Sequence, residues 1–355
     1  MKKLLKKIIS ISSKKKSIPI FKLSKPLKIG ITGAGSQGTQ LCNLAKNYGA
    51  KIVAVHDANI DAAKKLANIH NAKVSTTDFD KFFEEPMDGL LISTLPTIRL
   101  EPITRACNKN INIFVEKPPA YNLIEARKCL SAIKKSNIIS SVGFQLRYDP
   151  RYKKVKELIA DNEIHLVRTK ITIDYYLNYR MSPWFLEKQI SGGPIAEQAI
   201  HMLDCVRFVF NNTKALQAVA IGTKNMGRYN KNFDAENAMQ LMYKLDNGII
   251  GVHTNHCGQE KPRFDLELIG PNFQLEANAT ESKIHGIING REVNENPSIQ
   301  NDNGLDKISS WLKAIETKDI TYLTSSYEDS LYTQSLVDAA IKSQTTHRVE
   351  TVETV

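Results

Sequence analysis

Residues 30–38 read Gly-Ile-Thr-Gly-Ala-Gly-Ser-Gln-Gly, a glycine-rich stretch that stands between an apolar run and a helix-like run. The apolar run, 27–32, is typical of a buried strand, and the run 37–48 has the pattern of a helix. A second apolar run follows and ends at Asp57, 19 residues after Gly38. Strand, glycine loop, helix, strand and acid in this order predict a dinucleotide-binding βαβ unit.

Each glycine of the G-x-G-x-x-G pattern has its own role in such a unit. Gly33 permits the tight turn, Gly35 lets the backbone approach a pyrophosphate, and Gly38 lets the helix pack closely on the strand. The free N–H groups and the positive dipole end of the helix suit a diphosphate. Asp57 can accept hydrogen bonds from a ribose and would repel a 2′-phosphate, so the sequence predicts NAD in preference to NADP. The alternative is a glycine-rich turn without a ligand, and the spacing of the acid favours the cofactor.

The positive charge of the chain is concentrated at its beginning. The formal net charge is +11, yet residues 1–28 hold ten lysines and no acid, which leaves 38 basic residues (48 − 10) and 37 acidic residues. A nearly neutral body argues against a nucleic-acid partner. The 355 residues leave room for two domains. No apolar run approaches the ~20 residues that a membrane-spanning helix needs.

Residues 1–26 form a basic N-terminal extension, in which apolar residues alternate with pairs of lysines. This pattern is typical of a short basic amphipathic helix, and it lacks the long apolar core of a signal peptide. We expect the extension to be disordered and to lie outside the fold, so its removal should leave stability unchanged. Weak contact with an anionic membrane surface is the alternative.

The cysteines and histidines form no recognisable metal site. The odd number of cysteines and the absence of a C-x-x-C pair indicate a reducing compartment, and we expect a cytoplasmic protein. His253, His256 and Cys257 resemble a metal site at first sight, but alternation along a strand sends the two histidines to opposite faces. No metal is therefore predicted.

Two domains are predicted, because the pattern changes near Arg147. Over 27–146 strands alternate with helices, which predicts a parallel sheet and an NAD-binding Rossmann domain. Over 147–355 longer runs rich in Val, Ile, Thr and Tyr predict an α+β domain for substrate binding and oligomerisation, with a large, mostly antiparallel sheet. The predicted fold class is α/β, and the polar stretch 289–303 is expected to be an exposed loop. Helices in the second domain are expected near 194–210, 305–318 and 326–343.

Two charged residues, Glu116 and Lys117, directly follow the fifth predicted strand. They therefore lie at the carboxyl edge of the sheet, where ligands of such folds bind. A lysine there can hold a substrate hydroxyl and stabilise a developing oxyanion. The alternative is a surface ion pair before a proline turn. The predicted cofactor-binding residues are Gly33, Ala34, Gly35, Ser36, Gln37, Gly38, Asp57, Thr94, Glu116 and Lys117.

A second polar segment runs from Gly192 to Asp204 and contains a histidine. Glu197, His201 and Asp204 have spacings of four and three residues, so they share one face of a helix. Histidine can take or return a hydroxyl proton near neutral pH, and a neighbouring carboxylate can fix its tautomer. The spacing alone is more typical of a solvated helix face than of a catalytic site.

Three motifs in this order resemble the Gfo/Idh/MocA oxidoreductase family: the glycine pattern, Glu-Lys-Pro at 116–118, and Gly-Gly at 192–193 before Glu197 and His201. The resemblance spans roughly residues 27–345. It implies that Lys117 is the catalytic lysine and His201 the catalytic histidine. Glu197 completes the predicted catalytic set, at a position where many members of the family carry aspartate.

The resemblance also implies the reaction, an NAD(H)-dependent hydride transfer to or from a secondary alcohol or carbonyl of a sugar, polyol or nucleotide sugar. A homo-dimer or tetramer is expected, as is common in the family. The alternatives are a redox-neutral, NAD-dependent glycoside hydrolase and a non-catalytic dinucleotide-binding regulatory protein. The predicted substrate-binding residues are Lys117, Arg147, Tyr148, Tyr176, Trp184 and His201, with Asp174, Tyr175, Tyr179 and Arg180 as further candidates.

Overall fold

The computed structural model describes residues 21–174, 183–224, 233–278, 281–297 and 305–355, which build two sheets. The first sheet has six parallel strands in the order β3-β2-β1-β4-β5-β6. This confirms the predicted Rossmann sheet, and it places the ends of β1 and β4 side by side where a dinucleotide would cross. The strands are β1 (Lys28–Thr32), β2 (Lys51–His56), β3 (Val74–Thr76), β4 (Gly89–Ile92), β5 (Asn112–Val115) and β6 (Ser140–Val142).

Helices connect these strands, and several begin at a side chain that caps the first turn. Asn59, Asp78 and Asn122 each accept a hydrogen bond from a backbone N–H of the helix that follows them. Such caps satisfy donors that a helix leaves free at its start. The helices are α1 (Ser36–Asn47), α2 (Ile60–His70), α3 (Phe79–Glu84), α4 (Leu100–Asn108) and α5 (Leu123–Lys134).

The second sheet has nine strands in the order β14-β13-β12-β11-β7-β10-β9-β8-β15. Among the described strands the pair β7–β10 is parallel and the other pairs are antiparallel, so the predicted mostly antiparallel sheet is confirmed. The strands are β7 (Leu166–Asp174), β8 (Ala215–Thr223), β9 (Ala238–Leu245), β10 (Ile250–His256), β11 (Gly258–Gly270), β12 (Phe273–Asn278), β13 (Lys283–Ile288), β14 (Arg291–Glu295) and β15 (Glu350–Thr351).

Strand β14 corrects the expectation of a loop over 289–303. Its five residues pair with β13 along the edge of the sheet, from Ile288 opposite Arg291 to Ile284 opposite Glu295. The strand is polar because an edge strand packs little of its surface, and the lack of an apolar run concealed it.

Helices cover one face of the second sheet, and they include the polar segment 192–204. They are α6 (Pro150–Leu158), the short α7 (Lys188–Ser191), a π-helical turn (Ile195–Ala199), α8 (Ile200–Val209) and α10 (Tyr327–Thr346). The π turn runs directly into α8, so the predicted helix near 194–210 exists but begins with a wider turn. No helix in the described ranges is long and apolar enough to cross a membrane.

Helix α9 (Lys307–Thr317) returns from the second sheet to the first. Trp311 is fully buried there, 6.0 Å between ring centroids from Phe114 of β5. A Cβ built on Gly89 would lie 2.6 Å from the Trp311 ring, so only glycine leaves room for this tryptophan. Although the chain order puts α9 within the second domain, its side chains complete the core of the first.

The last residues of the N-terminal extension also dock on the first domain. The Leu23 backbone N–H donates to the Tyr48 carbonyl at 2.9 Å, and the Ser24 N–H and hydroxyl both donate to the Glu316 carboxylate, at 2.6 and 2.7 Å. For residues 21–26 the expectation that the extension lies outside the fold is therefore wrong. These contacts could not be predicted from composition, because they join segments that are far apart in the chain. Residues 1–20, with their predicted disorder or membrane contact, lie outside the described residues.

Candidate functional site

The glycine loop has the geometry that a close-approaching pyrophosphate needs. Gly33 has a φ of 93°, and a Cβ on Gly38 would lie 1.9 Å from the Gly33 carbonyl oxygen. By contrast, no described atom lies within 4 Å of a Cβ built on Gly35, so the loop is open on that side. Within the described part of the chain no side chain caps α1, and its first turn carries no acidic residue. Its N–H groups are thus available to an anion.

Asp57 follows β2 and closes the glycine loop from the other side. Its carboxylate accepts hydrogen bonds from the Ala34 N–H at 2.6 Å and the Asn59 N–H at 2.8 Å. The side chain therefore holds the loop in place, and a carboxylate retains further acceptor positions for ribose hydroxyls.

Glu116 is a buried carboxylate at the centre of the site, at the end of β5. It accepts hydrogen bonds from Gln37 Nε2 at 3.1 Å and from Lys307 Nζ at 2.5 Å, and it is 5% exposed. Burial alone would raise its pKa, but the Lys307 ammonium and these hydrogen bonds hold the pKa below its ordinary value. Glu116 therefore joins the start of α1, the end of β5 and the start of α9.

Lys117 reaches from the first domain to the second. Its Nζ lies 2.9 Å from the Glu197 carboxylate and 2.9 Å from the Glu197 carbonyl oxygen. Glu197 belongs to the π turn and is 5% exposed, whereas the Lys117 side chain keeps 16% of its surface exposed. The structure thus brings Lys117 and Glu197 together across the cleft between the sheets.

His201, in the first turn of α8, is half-buried beside this pair. Burial lowers the pKa of its imidazole well below the ordinary value, and the charges of Lys117 and Lys307 lower it further. Its Nδ1 is buried and has no hydrogen-bond partner among the described residues. At neutral pH the ring is consequently uncharged and able to accept a proton.

Two residues of this site are ones that sequence reasoning missed. Lys307 lies 191 positions beyond Glu116, so no local pattern links them. Arg99, just before α4, is 3% exposed and donates to the carbonyl oxygens of Glu116, Thr94 and Lys117. Burial lowers its pKa to about 10, against the opposing effect of Glu116 and Glu197. Arg99 therefore fixes the backbone on which Lys117 stands.

Thr94, a predicted cofactor residue, follows β4 beside the glycine loop. Its Oγ1 is buried and has no hydrogen-bond partner within the described ranges, while its carbonyl oxygen accepts from Arg99. A buried hydroxyl without a partner is costly, so this atom is suited to a bound group that the cleft admits.

Two predicted substrate-binding residues do not face the cleft. Arg147 is fully buried, and its guanidinium pairs with Asp204 at 2.6 and 2.7 Å and with Asp329 at 2.7 Å. Its remaining N–H groups donate to the Thr324 carbonyl oxygen and the Asn212 side chain. No donor of Arg147 is left for a substrate, so this assignment is wrong.

Asp204 and Tyr148 are likewise used elsewhere. The Asp204 carboxylate is fully buried between Arg147 and Thr333, so it does not fix the His201 tautomer as the spacing suggested. Tyr148 is 8% exposed, and its hydroxyl accepts from the Thr324 N–H. Its placement in the interior contradicts a role in substrate binding.

Of the other predicted substrate-binding residues, Trp184 lies within the described ranges. Trp184 stacks on Phe185 with ring centroids 3.8 Å apart and remains half-exposed. Tyr176 and the further candidates Tyr175, Tyr179 and Arg180 lie outside the described residues, as does the side chain of Asp174.

His253 belongs to a buried polar row, not to a metal site. It is fully buried and its Nδ1 lies 2.8 Å from Thr169 Oγ1, whereas His256 lies on the opposite face of β10. No group of three metal-binding side chains occurs among the described residues. The alternation along β10 is as predicted.

The burial of His253 predicts a loss of stability in acid. Burial lowers its pKa to about 4, so between that value and about 6.5 the unfolded chain binds a proton that the folded chain does not. The contribution of His253 to the free energy of unfolding is therefore fully present above the unfolded pKa, and it is lost as the pH falls towards the folded pKa. When the pH is lowered from about 7.5 to about 5, we expect this effect of His253 to reduce the free energy of unfolding by about 2 kcal/mol. Denaturant unfolding should show that the free energy of unfolding of His253→Gln changes less between these two pH values than that of the unmodified protein. An equal change in both proteins would contradict the expectation.

Comparisons with known proteins agree with this architecture. A model of the oxidoreductase family with an NAD-binding Rossmann fold matches residues 27–144, and a model of the GFO/IDH/MocA C-terminal domain matches residues 152–276. Glucose-6-phosphate 3-dehydrogenase of Bacillus subtilis (strain 168) is 23% identical over 327 residues, 88% of this chain and 92% of that protein. Myo-inositol 2-dehydrogenase of Thermotoga maritima is 24% identical over 194 residues, 52% of this chain and 54% of that protein.

A solved structure shows the same fold over nearly the whole chain. It is levoglucosan dehydrogenase in complex with NADH and L-sorbose, with a TM-score of 0.78 and 20% identity. The superposition covers 93% of this chain and 100% of that one. Both sheets described above are therefore shared with that protein.

Proposed function

Because the chain belongs to the Gfo/Idh/MocA family of NAD-binding oxidoreductases, we propose that it oxidises or reduces a secondary alcohol or carbonyl of a sugar, polyol or nucleotide sugar. One observation carries the proposal: Lys117 of the Rossmann domain meets Glu197 of the second domain beside an uncharged His201. An ammonium and a neutral base at the carboxyl edge of a dinucleotide-binding sheet suit alcohol chemistry.

The roles of the side chains follow from their charges. NAD held at this edge of the sheet would supply the hydride chemistry, as acceptor for an alcohol in its oxidised form or as donor to a carbonyl in its reduced form. In the oxidative direction His201 takes the hydroxyl proton, and in the reductive direction it returns that proton. Lys117, oriented by two contacts with Glu197, stabilises negative charge on the same oxygen.

The residues present fit NAD. The open side of Gly35 and the uncapped start of α1 suit the diphosphate, Asp57 suits the ribose, and the Thr94 hydroxyl still needs a partner. Gln37 and Glu116 line the same edge of the sheet. We assign these residues to cofactor binding, with NAD preferred over NADP because of the Asp57 carboxylate.

Asp57→Ala should narrow the difference in affinity between NAD and NADP. The change removes a ribose acceptor and a charge that repels a 2′-phosphate, and it also frees the Ala34 N–H, so NAD affinity should fall while NADP loses less. Isothermal titration of both cofactors measures this, with Asp57→Asn as the control that keeps an acceptor without the charge. Tighter binding of NADP by the unmodified protein would contradict the preference.

The substrate class is supported by the names of the relatives, which act on glucose 6-phosphate and myo-inositol. Trp184 offers an aromatic surface for a sugar ring, and Tyr176 is retained as a predicted contact. The test is a panel of sugars, polyols and nucleotide sugars incubated with NAD or NADH. Oxidised product and NADH in equal amounts support the proposal. Cleaved glycoside without NADH would indicate the hydrolase alternative, and cofactor binding without any product would indicate a regulatory protein.

We also propose that the chain forms a homo-oligomer through its second sheet. Six large apolar side chains are exposed among the described residues of that sheet. Leu216 lies at a register shift of β8, and the strand register places the other five on one face: Leu166, Ile221, Met242, Ile250 and Ile287. A second copy of the same face would cover them with two-fold symmetry. Light scattering should give a dimer or tetramer, and Met242→Lys should weaken it. A monomer at micromolar concentration would exclude this interface.

A cytoplasmic location is part of the same proposal. All five cysteines are buried and free, which is typical of proteins kept under reducing conditions. A sugar-like substrate and NAD are the predicted partners, and contact of residues 1–20 with an anionic membrane stays a prediction.

A further inference from the structure

A row of buried polar side chains crosses the second sheet and ends beneath the π turn. Thr169 Oγ1 lies 2.8 Å from His253 Nδ1, His253 Nε2 lies 3.5 Å from Asn255 Oδ1, and Asn255 Nδ2 donates to Gln198 Oε1 at 2.8 Å. Gln198 Nε2 in turn lies 3.5 Å from Cys257 Sγ. None of the five side chains is more than 3% exposed.

The row of buried polar side chains leads from the sheet to the π turn. Burying polar groups is costly unless each finds a partner, and here every step of the row supplies one. Apolar side chains would cover the sheet with less cost, as Met239, Leu241 and Leu245 do along β9, where they are buried. The row starts within the sheet and reaches Gln198, the residue that directly follows Glu197.

The π turn needs such an anchor. Its wide hydrogen bond runs from the Ile200 N–H to the Ile195 carbonyl oxygen, and such π turns are rare and occur frequently at functional sites. Lys117 contacts the Glu197 carbonyl oxygen as well as its carboxylate, so the position of the ammonium depends on the backbone of this turn. Glu197 faces Lys117, while the neighbouring Gln198 side chain bonds to the sheet.

We propose that Asn255 and Gln198 are positioning residues, whose amide pair fastens the π turn to β10 and so sets Lys117, Glu197 and His201 relative to one another. The inference rests on the proposed function for its effect on turnover. A displacement of about 1 Å in a catalytic group can cost 10²-fold in rate. Loss of the amide pair should therefore act on turnover more than on cofactor binding.

The test compares Asn255→Leu, Gln198→Leu and the double variant. Each single change should lower kcat roughly 10- to 100-fold with little change in KM or in NAD affinity, because it leaves the remaining amide buried without its partner. The double variant replaces both partners by apolar groups, which can be nearly neutral for stability. We expect it to recover thermal stability but not kcat.

The double variant and a matched control distinguish positioning from mere stability. Recovery of both stability and kcat in the double variant would overturn the proposal. Thr169→Val, at the far end of the row, should lower stability and leave kcat within about two-fold of the unmodified enzyme. An equal loss of kcat in Thr169→Val would likewise overturn it.

A second readout separates this inference from the proposed function. Lys117 is partly exposed, so an amine-acylating reagent followed by mass spectrometry measures how firmly it is held. Both single variants and the double variant should raise its rate of acylation several-fold, and Thr169→Val should not. An unchanged rate in the leucine variants would refute the positioning role even if no sugar were turned over. If the leucine variants showed a raised acylation rate but the unmodified protein turned over no substrate, only the proposed function would be refuted.

Discussion

Lys117→Ala and His201→Ala should each lower turnover by roughly 10²–10⁴, the usual size of a lost acid–base or oxyanion-stabilising group. NAD affinity should stay nearly constant, because neither residue lies at the glycine loop or at Asp57. Steady-state kinetics with the substrate found in the panel and isothermal titration with NAD measure the two effects. A loss below about ten-fold in either variant would contradict the assignment.

Controls address the ion pair that Lys117→Ala would break. Because Glu197 is buried, removing its cation could disturb the turn as well as the chemistry. Lys117→Arg retains a positive charge, yet it should also fail, since a bulky planar fork cannot replace a compact ammonium. Glu197→Asp should be milder than either alanine variant, because it keeps the carboxylate.

The pH dependence offers an independent test of His201. Its pKa is well below the ordinary value, so alcohol oxidation should keep its rate as the pH falls through about 6.5, where an ordinary histidine would gain a proton. The rate should decline only in stronger acid, and the decline should be absent from the residual activity of His201→Ala. A decline centred near the ordinary histidine pKa would show that burial and the two lysines do not lower the pKa of His201 in the enzyme.

Arg147→Met should lower the free energy of unfolding by about 3–5 kcal/mol, the usual cost of removing one partner from a buried ion pair. Asp204 would stay fully buried without its guanidinium, and Asp329 would keep its ion pair with Arg207, 2.8 Å away. Denaturant unfolding measures the loss. The double variant Arg147→Met, Asp204→Leu should recover part of it, because no unpaired carboxylate remains at that position. A loss below about 1 kcal/mol would mean that the guanidinium is not needed.

The parts of the fold that depend on local pattern were predictable from the sequence. Strand β1 lies within the predicted apolar run 27–32, the helix predicted over 37–48 is α1 (Ser36–Asn47), and β2 ends just before Asp57, because apolar periodicity acts over a few neighbours. The glycine loop and its acid were recognisable for the same reason. In the site, Lys117, Glu197 and His201 were named from motifs, and the structure places them together.

The remaining features depend on contacts between distant segments. The Lys307–Glu116 pair, the return of α9 and the docking of residues 21–26 join parts of the chain that no local window contains. Arg147 was misassigned for a different reason. A buried arginine that pairs with carboxylates has the same residue type and spacing as one that binds a substrate, and only its burial separates the two.

The return of α9 to the first domain has a consequence for the order in which a nascent chain can fold. When the ribosome has released the six strands of the first sheet, the slot beside Gly89 is still empty, since Trp311 has yet to be synthesised. Glu116 likewise waits for Lys307, its closest cation. The domain that begins the chain is therefore finished only after nearly all of the second has been translated, so the two halves mature together although each has its own sheet.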